Sequence, residues 1–197
     1  DSGFCIFADF AALAKKLSSA GERVAILDID VHHGDGTENL TRTDLSVLTF
    51  SIHERGIFPG TGSVSEDDRE VHVHNRPLER GAGDAELLNA VREFIAEAKA
   101  FNATVILLAV GGDGHKEDPL AHLQYSEQGV AVALAELRAT FASLPIGFGG
   151  AGGYRPDDYT PSMWLHGLLA LIGIEPKEIE QLSLLNRVRE EVLRRVA

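Results

Sequence analysis

"ILDIDVHHGDGTENL", residues 26–40, begins as a buried strand and ends as something else. The run that opens at Val24 is apolar on both faces, as strands of a covered parallel sheet are. Asp28 and Asp30 interrupt its second half, and His32 and His33 follow before Gly34. Side chains alternate along a strand, so Asp28 and Asp30 are expected on one side and Ile29 on the other. At the carboxyl end of a parallel strand such residues look into the crevice where α/β proteins bind ligands. Carboxylates brought together there repel one another and lose hydration, which raised pKa values, basic partners or cations must offset. No Lys or Arg lies between Val24 and Arg42, so cations lead.

The rest of the chain alternates between two periods. Val24–Asp30, Leu45–Ile52, Thr104–Gly112 and Ile146–Phe148 read as strands. Helical spacing runs through Phe4–Ser19, 84–101 with Asp84 as its N-cap, Ser126–Ala142 capped by Ser126, 161–172 and 176–196. Apolar strands separated by helices predict an α/β fold, a mostly parallel sheet with helices on both faces. The segment from Glu54 to Leu78 reads as a long loop with only a brief strand at His72 and Val73. Within it, "GIFPGTG" holds a specific turn from which Phe58 projects.

The whole chain, 1–197, reads as a single domain, and 44% hydrophobic content is enough to bury a core. A net charge of −12 argues against nucleic acid, whose phosphates need clustered Lys and Arg. The single cysteine, Cys5, excludes an internal disulfide framework and fits a reducing, cytoplasmic compartment. No apolar stretch reaches membrane-span length and no leader opens the chain, so a soluble protein with no membrane contact is expected. The chain starts at Asp1 and its only methionine is Met163, which predicts that an upstream part of the protein is missing.

Imidazole nitrogen combined with carboxylate oxygen suits zinc and other divalent transition metals, and three protein ligands leave a position open for catalysis. Near Asp30 and His32 a further ligand has to come from elsewhere, and "VGGDGHKEDP" offers Asp113 just past another buried strand. The competing reading has these groups capping helices and pairing with backbone donors. In "GGAGGYRPDDY" the glycines let backbone approach a ligand and carry Tyr154 out from a strand end. Its hydroxyl could donate to an oxyanion; the alternative is a glycine-rich turn with a packed aromatic. His53, His72, His74 and His166 read as surface or packed histidines, Trp164 as core, and Asp118 as the brace of a turn. Residues 186–196 read as a solvated amphipathic helix.

"DSGFCIF", "ILDIDVHHGDGTENL", "LTFSIHERGIFPGTG", "GDAELLNAV", "GGDGHKEDPLAHL" and "GGAGGY" together resemble, in order, the blocks of the zinc-dependent histone deacetylase superfamily. That superfamily also holds acetylpolyamine amidohydrolases and acetoin-utilisation proteins. The resemblance covers about residues 2–155 and implies an arginase/deacetylase-like three-layer fold, incomplete at its N-terminal side. It implies Asp30, His32 and Asp113 as ligands of one Zn2+, with Fe2+ or Co2+ as substitutes, and Tyr154 as the residue that stabilises the oxyanion. Phe4 and Phe58 match the walls of an acyl-lysine channel, with Gly3 at its edge. Asp28 and Ser51, with backbone oxygens of Asp30, His32 and Ile52, match a structural K+ site.

The implied reaction is hydrolysis of an acetyl amide, of the acetyl-lysine or acetylpolyamine type, by metal-activated water. Its partners would be small-molecule or peptide acetyl-amine substrates, and an oligomer remains open. The family's adjacent histidine pair, which transfers protons, precedes the "GFC" block and is absent from this stretch. Asp28 and Asp35 match the carboxylates that orient that pair. His33 is no substitute, being on the opposite side of the chain from His32. The alternatives to an amidohydrolase are a non-catalytic module that binds metal and acyl-lysine, or a shortened fragment.

Overall fold

A computed structural model describes residues 4–64, 66–67 and 71–182; Gly3 and the segment 186–196 lie outside the described residues. Helix α1, Asp9–Ser19, precedes strand β1, Val24–Asp28. Helix α2, Asp35–Thr41, leads to β2, Val47–Glu54, the short β3, Glu66–Asp67, and β4, His72–Leu78. Helix α3, Asp84–Ala100, β5, Val105–Val110, α4, Glu127–Thr140, β6, Ile146–Gly150, and α5, Tyr159–Leu171, complete the order. Residues 176–182 are helical as well.

The sheet runs β3-β4-β2-β1-β5-β6, parallel throughout except for β3 against β4. The α/β reading therefore holds. One face buries Leu27, Leu48, Phe50, Leu108 and Val110 against α3, α4 and α5, with Phe94, Leu134 and Met163 among the helical contributions. The other face buries Val24, Ile26, Val47, Val105 and Leu107 under Ala14, Phe10 and Leu17 of α1. Strands buried on both sides need the continuous apolar runs that made β1 and β5 readable.

Three boundaries differ from expectation, each for a local reason. The first helix starts at Asp9 rather than Phe4; Asp9 Oδ1 accepts from the Phe10 amide, while Phe4, Ile6 and Phe7 remain exposed. β1 stops at Asp28, whose Oδ1 takes the Asp30 amide at 3.0 Å and turns the chain out of the sheet. Gly83, not Asp84, caps α3: Glu86 accepts from the Gly83 amide at 2.8 Å, and the Asp84 carboxylate receives Ser126 N and Oγ instead. Ser126 does cap α4, accepting from the Gly129 amide at 3.0 Å.

The largest correction is β4. The expected brief strand is a seven-residue one, paired parallel to β2 from Thr49↔Val73 through Glu54↔Leu78. Pro77 is tolerated because, among the described residues, β3 pairs only with Val73 and His72 and no strand on that edge asks Pro77 for an N–H. Helix α2, unannounced by any apolar period, is favoured by Asp35 and Glu38 in its first turn and by an Arg42–Glu38 ion pair at 3.1 Å.

Parallel register places the site. Asp28 stands beside Ala109, and Val110 beside Gly150, so the segments leaving β1, β5 and β6 share one rim. At the far side of that rim β6 is the sheet's edge, its Gly149 covered by Phe10 and its Gly150 by Trp164.

Candidate metal centre

Asp30, His32 and Asp113 converge where β1 and β5 end. One donor atom from each lies within 4.8 Å of the others. His32 Nδ1 is 3.0 Å from Asp30 Oδ1 and 3.2 Å from Asp113 Oδ2. Backbone donors hold both carboxylates in place. The His32 amide reaches Asp30 Oδ1 at 2.9 Å, the Val31 amide Asp113 Oδ1 at 3.0 Å, and the Gly152 amide Asp30 Oδ2 at 2.6 Å.

Two glycines make this approach feasible. A Cβ on Gly152 would collide with Asp113 Oδ2 and stand 2.7 Å from Asp30 Oδ2; one on Gly111 would meet Asp113 Oδ1 and, at 2.7 Å, Asp30 Cα. The sequence reading assigned the glycines after β6 only a general role in close approach, and gave Gly111 none. The repeated "GG" at two strand ends was the available signal.

The electrostatics follow from two carboxylates and one imidazole out of water. Burial works against a charged His32, but Asp113 and Asp30 outweigh it and push its pKa up to about 10. Burial, with repulsion from Asp30, holds Asp113 up at about 6. For Asp30 burial is overcome by hydrogen bonds from His32 and Gly152, and its pKa is lowered. Asp28 is raised well above the carboxylate range by burial and then by Asp30.

These residues fit a divalent ion. Bonds of about 2.0–2.2 Å to oxygen and nitrogen in a tetrahedral site imply donor separations of roughly 3.3–3.5 Å. The imidazole sits close to that spacing from both carboxylates, and the glycine cradle leaves no side chain between them. His33 faces elsewhere, with Nδ1 2.8 Å from Thr61 Oγ1 and Nε2 2.8 Å from Glu38 Oε2. His53 accompanies it, its Nε2 3.0 Å from the Gly62 carbonyl oxygen. These two imidazoles anchor the turn 57–62, which presents Phe58 beside the cluster.

Aromatic rings line the approach. Phe58 lies 6.2 Å and Tyr154 6.4 Å from the His32 ring, both edge-on, and Phe4 lies 5.9 Å from Tyr154. Burial, with Asp113 and Asp30 nearby, pushes Tyr154 up to about 12, so its hydroxyl remains a donor at neutral pH. Gly3, expected at the edge of this wall, lies outside the described residues.

Asp28 and Asp30 do not meet the same groups. Asp28 lines a cavity of about 10 Å³ on the α2 side of the sheet, with Gly34, Thr49, Ser51 and Asn75. Ile52, expected to contribute only its backbone oxygen, has its side chain fully buried in the core on the α3 side. Asp35 stands at the start of α2, its amide donating to the His33 carbonyl at 2.8 Å. Among the described residues no helix is long and apolar enough to cross a membrane.

Residues 1–170 match the model of the histone deacetylase domain. The acetoin utilization protein AcuC of Staphylococcus aureus is 36% identical over 181 residues, a span covering 87% of this chain and 46% of that protein. Histone deacetylase 10, chloroplastic, of Oryza sativa is 35% identical over 170 residues, 82% of this chain and 38% of its own. The crystal structure of an acetylpolyamine aminohydrolase from Burkholderia pseudomallei superposes with a TM-score of 0.79 at 23% identity, over 89% of this chain and 52% of that one, which supports the fold. The chain thus spans about half the length of the relatives it matches. With an α/β sheet whose strand ends gather an Asp/His/Asp cluster, and a family model covering most of its length, this chain belongs to the histone deacetylase family.

Proposed function

We propose that the chain carries the metal and substrate face of a zinc-dependent deacetylase that hydrolyses an acetyl amide of the acetyl-lysine or acetylpolyamine type. The observation that carries this reading is the convergence of Asp30, His32 and Asp113 beside Tyr154, whose ring lies 6.4 Å from that of His32 and whose hydroxyl stays protonated. A divalent ion held by those three residues supplies Lewis-acid polarisation of the acyl carbonyl and activation of water. Tyr154 donates a hydrogen bond to the oxygen on which negative charge develops. Phe4 and Phe58 flank the approach and guide an apolar acyl-amine stem toward it. The Gly152 amide orients Asp30 from behind, as supporting hydrogen bonds do for ligating carboxylates.

A structural K+ beside Asp28 and Ser51 belongs to the same reading. Both line one small cavity, roomy enough for a single water-sized occupant, and a buried carboxylate next to another calls for a cation.

One observation favours a second reading, binding without turnover. Among the described residues, the imidazoles other than His32 are engaged away from the cluster: His33 with Glu38, His53 with Gly62, His115 against Tyr159, His122 with Glu54 and His166 with Ser162. His72 and His74 pack on Phe101 and Phe50. Proton transfer would then need a group from beyond these residues. Zinc content by elemental analysis, paired with hydrolysis of an acetyl-lysine reporter, tests both. Stoichiometric zinc with turnover supports the hydrolase, zinc without turnover supports the binding module, and absence of zinc refutes both.

A further inference from the structure

The loop between β6 and Tyr154, residues 151–153, is held at a few defined points. Two of its three residues, Gly152 and Gly153, are glycines, which surrender more backbone freedom on ordering than other residues, and Gly153 adopts φ +151°. The Ala151 amide donates to the Val110 carbonyl at 3.0 Å, the Gly152 carbonyl takes the Gly112 amide, the Gly152 amide binds Asp30, and the Tyr154 amide itself donates to Asp118 Oδ2 at 3.3 Å.

Asp118 is buried, and its two oxygens do different work. Oδ1 accepts from the Leu120 amide at 2.8 Å, an ordinary turn contact within its own segment. Oδ2 leaves that segment and receives both the Tyr154 amide and, at 2.7 Å, the hydroxyl of Tyr159. Tyr159 is 3% exposed and stacks on His115, with ring centroids 4.1 Å apart and planes at 18°. His115 lies two residues beyond Asp113, and its amide donates to the Gly112 carbonyl at 3.3 Å. A single carboxylate oxygen thus ties the backbone of Tyr154 to the turn that bears Asp113.

We propose that Asp118, itself held by the Tyr159 hydroxyl, is a positioning residue that sets Tyr154 against the metal cluster; this rests on the role proposed above for Tyr154. A charged acceptor shared by two donors out of water is stronger and more directional than a neutral one. An oxyanion donor works only when it is oriented before the charge develops. A turn brace alone would need Oδ1 but not Oδ2.

The test uses the full zinc-loaded chain labelled with 3-fluorotyrosine, whose three tyrosines give three fluorine resonances assigned by Tyr→Phe variants. Asp118→Asn keeps the local turn, since asparagine forms it too, but removes the charge. The expected result is a shift or broadening of the Tyr154 and Tyr159 signals with Tyr125 and zinc content unchanged. On an acetyl-lysine reporter the same variant should lower kcat roughly 10- to 100-fold with little change in KM, and add nothing in a Tyr154→Phe background.

An unmoved Tyr154 signal, or multiplicative effects of Asp118→Asn and Tyr154→Phe, overturns the proposal. Full turnover by Tyr154→Phe alone would instead overturn the reading of Tyr154, while the fluorine signals still decide whether Asp118 holds it. If Asp118→Asn also disturbs Tyr125, Tyr159→Phe, which deletes one hydroxyl, is judged by the same Tyr154 signal.

Discussion

The Gly152 amide donates a 2.6 Å hydrogen bond to Asp30 Oδ2, joining two strand ends that lie 122 residues apart in sequence. The contact is short because nothing but hydrogen stands on the Gly152 Cα. Alanine there would drive a methyl into Asp113 Oδ2 and to 2.7 Å from Asp30 Oδ2. Gly152→Ala should therefore weaken zinc binding by about 10- to 100-fold, the range for disturbed ligand support. Competition with a chromophoric chelator measures it; unchanged affinity would show that the loop retreats freely.

Asp113 is fully buried and supplies one of three donors. Asp113→Ala should abolish stoichiometric zinc after reconstitution, because two remaining ligands leave an incomplete site. Elemental analysis of the dialysed variant reads the result directly, and retained metal would remove Asp113 from the ligand set.

Tyr154 touches the cluster through the His32 ring, not through a ligand bond. Tyr154→Phe should keep zinc while lowering any turnover by roughly 10²- to 10³-fold, as the loss of one oxyanion donor does. Steady-state kinetics on an acetyl-lysine reporter, with zinc measured on the same sample, separates the two effects.

Glu127 opens α4 and lies 3.4 Å from His115 Nε2. His115 holds its carboxyl at about 2, against the opposing pull of burial. A depressed carboxyl stabilises the fold above its unfolded value, near 4.5, and that contribution fades as pH falls towards about 2. Glu127→Gln should be less stable than the parent by about 1 kcal/mol near neutrality, after allowance for solvent screening, and the gap should close on acidification. Urea midpoints at about pH 6 and about pH 3 test this; a constant gap would mean that the charge contributes nothing.

Much of this was legible in the residues alone. β1 and β5 announced themselves because strands covered on both faces must be apolar throughout, and α3 because one buried stripe recurs at helical spacing. β4 was opaque. "HVHNRPL" has no clean alternation and contains a proline, and its strand character comes from hydrogen bonds to β2 that local sequence does not encode. Asp84 illustrates the same limit at one position: it looked like a helix cap, yet its carboxylate serves Ser126, 42 residues away.

The candidate site divides along that line. Residue type and place at a strand end raised Asp30, His32 and Asp113 as candidates, because acidic and imidazole groups are costly in an apolar strand unless they have a task, while the choice of an oxyanion role for Tyr154 came only with the resemblance to the deacetylase blocks. Their meeting was decided only by the tertiary structure. The parallel register of β1, β5 and β6 brings three distant segments to one rim, and the Gly152 amide and the shared oxygen of Asp118 then set the distances. Those contacts join positions far apart in the chain, so they exist only once the sheet has formed.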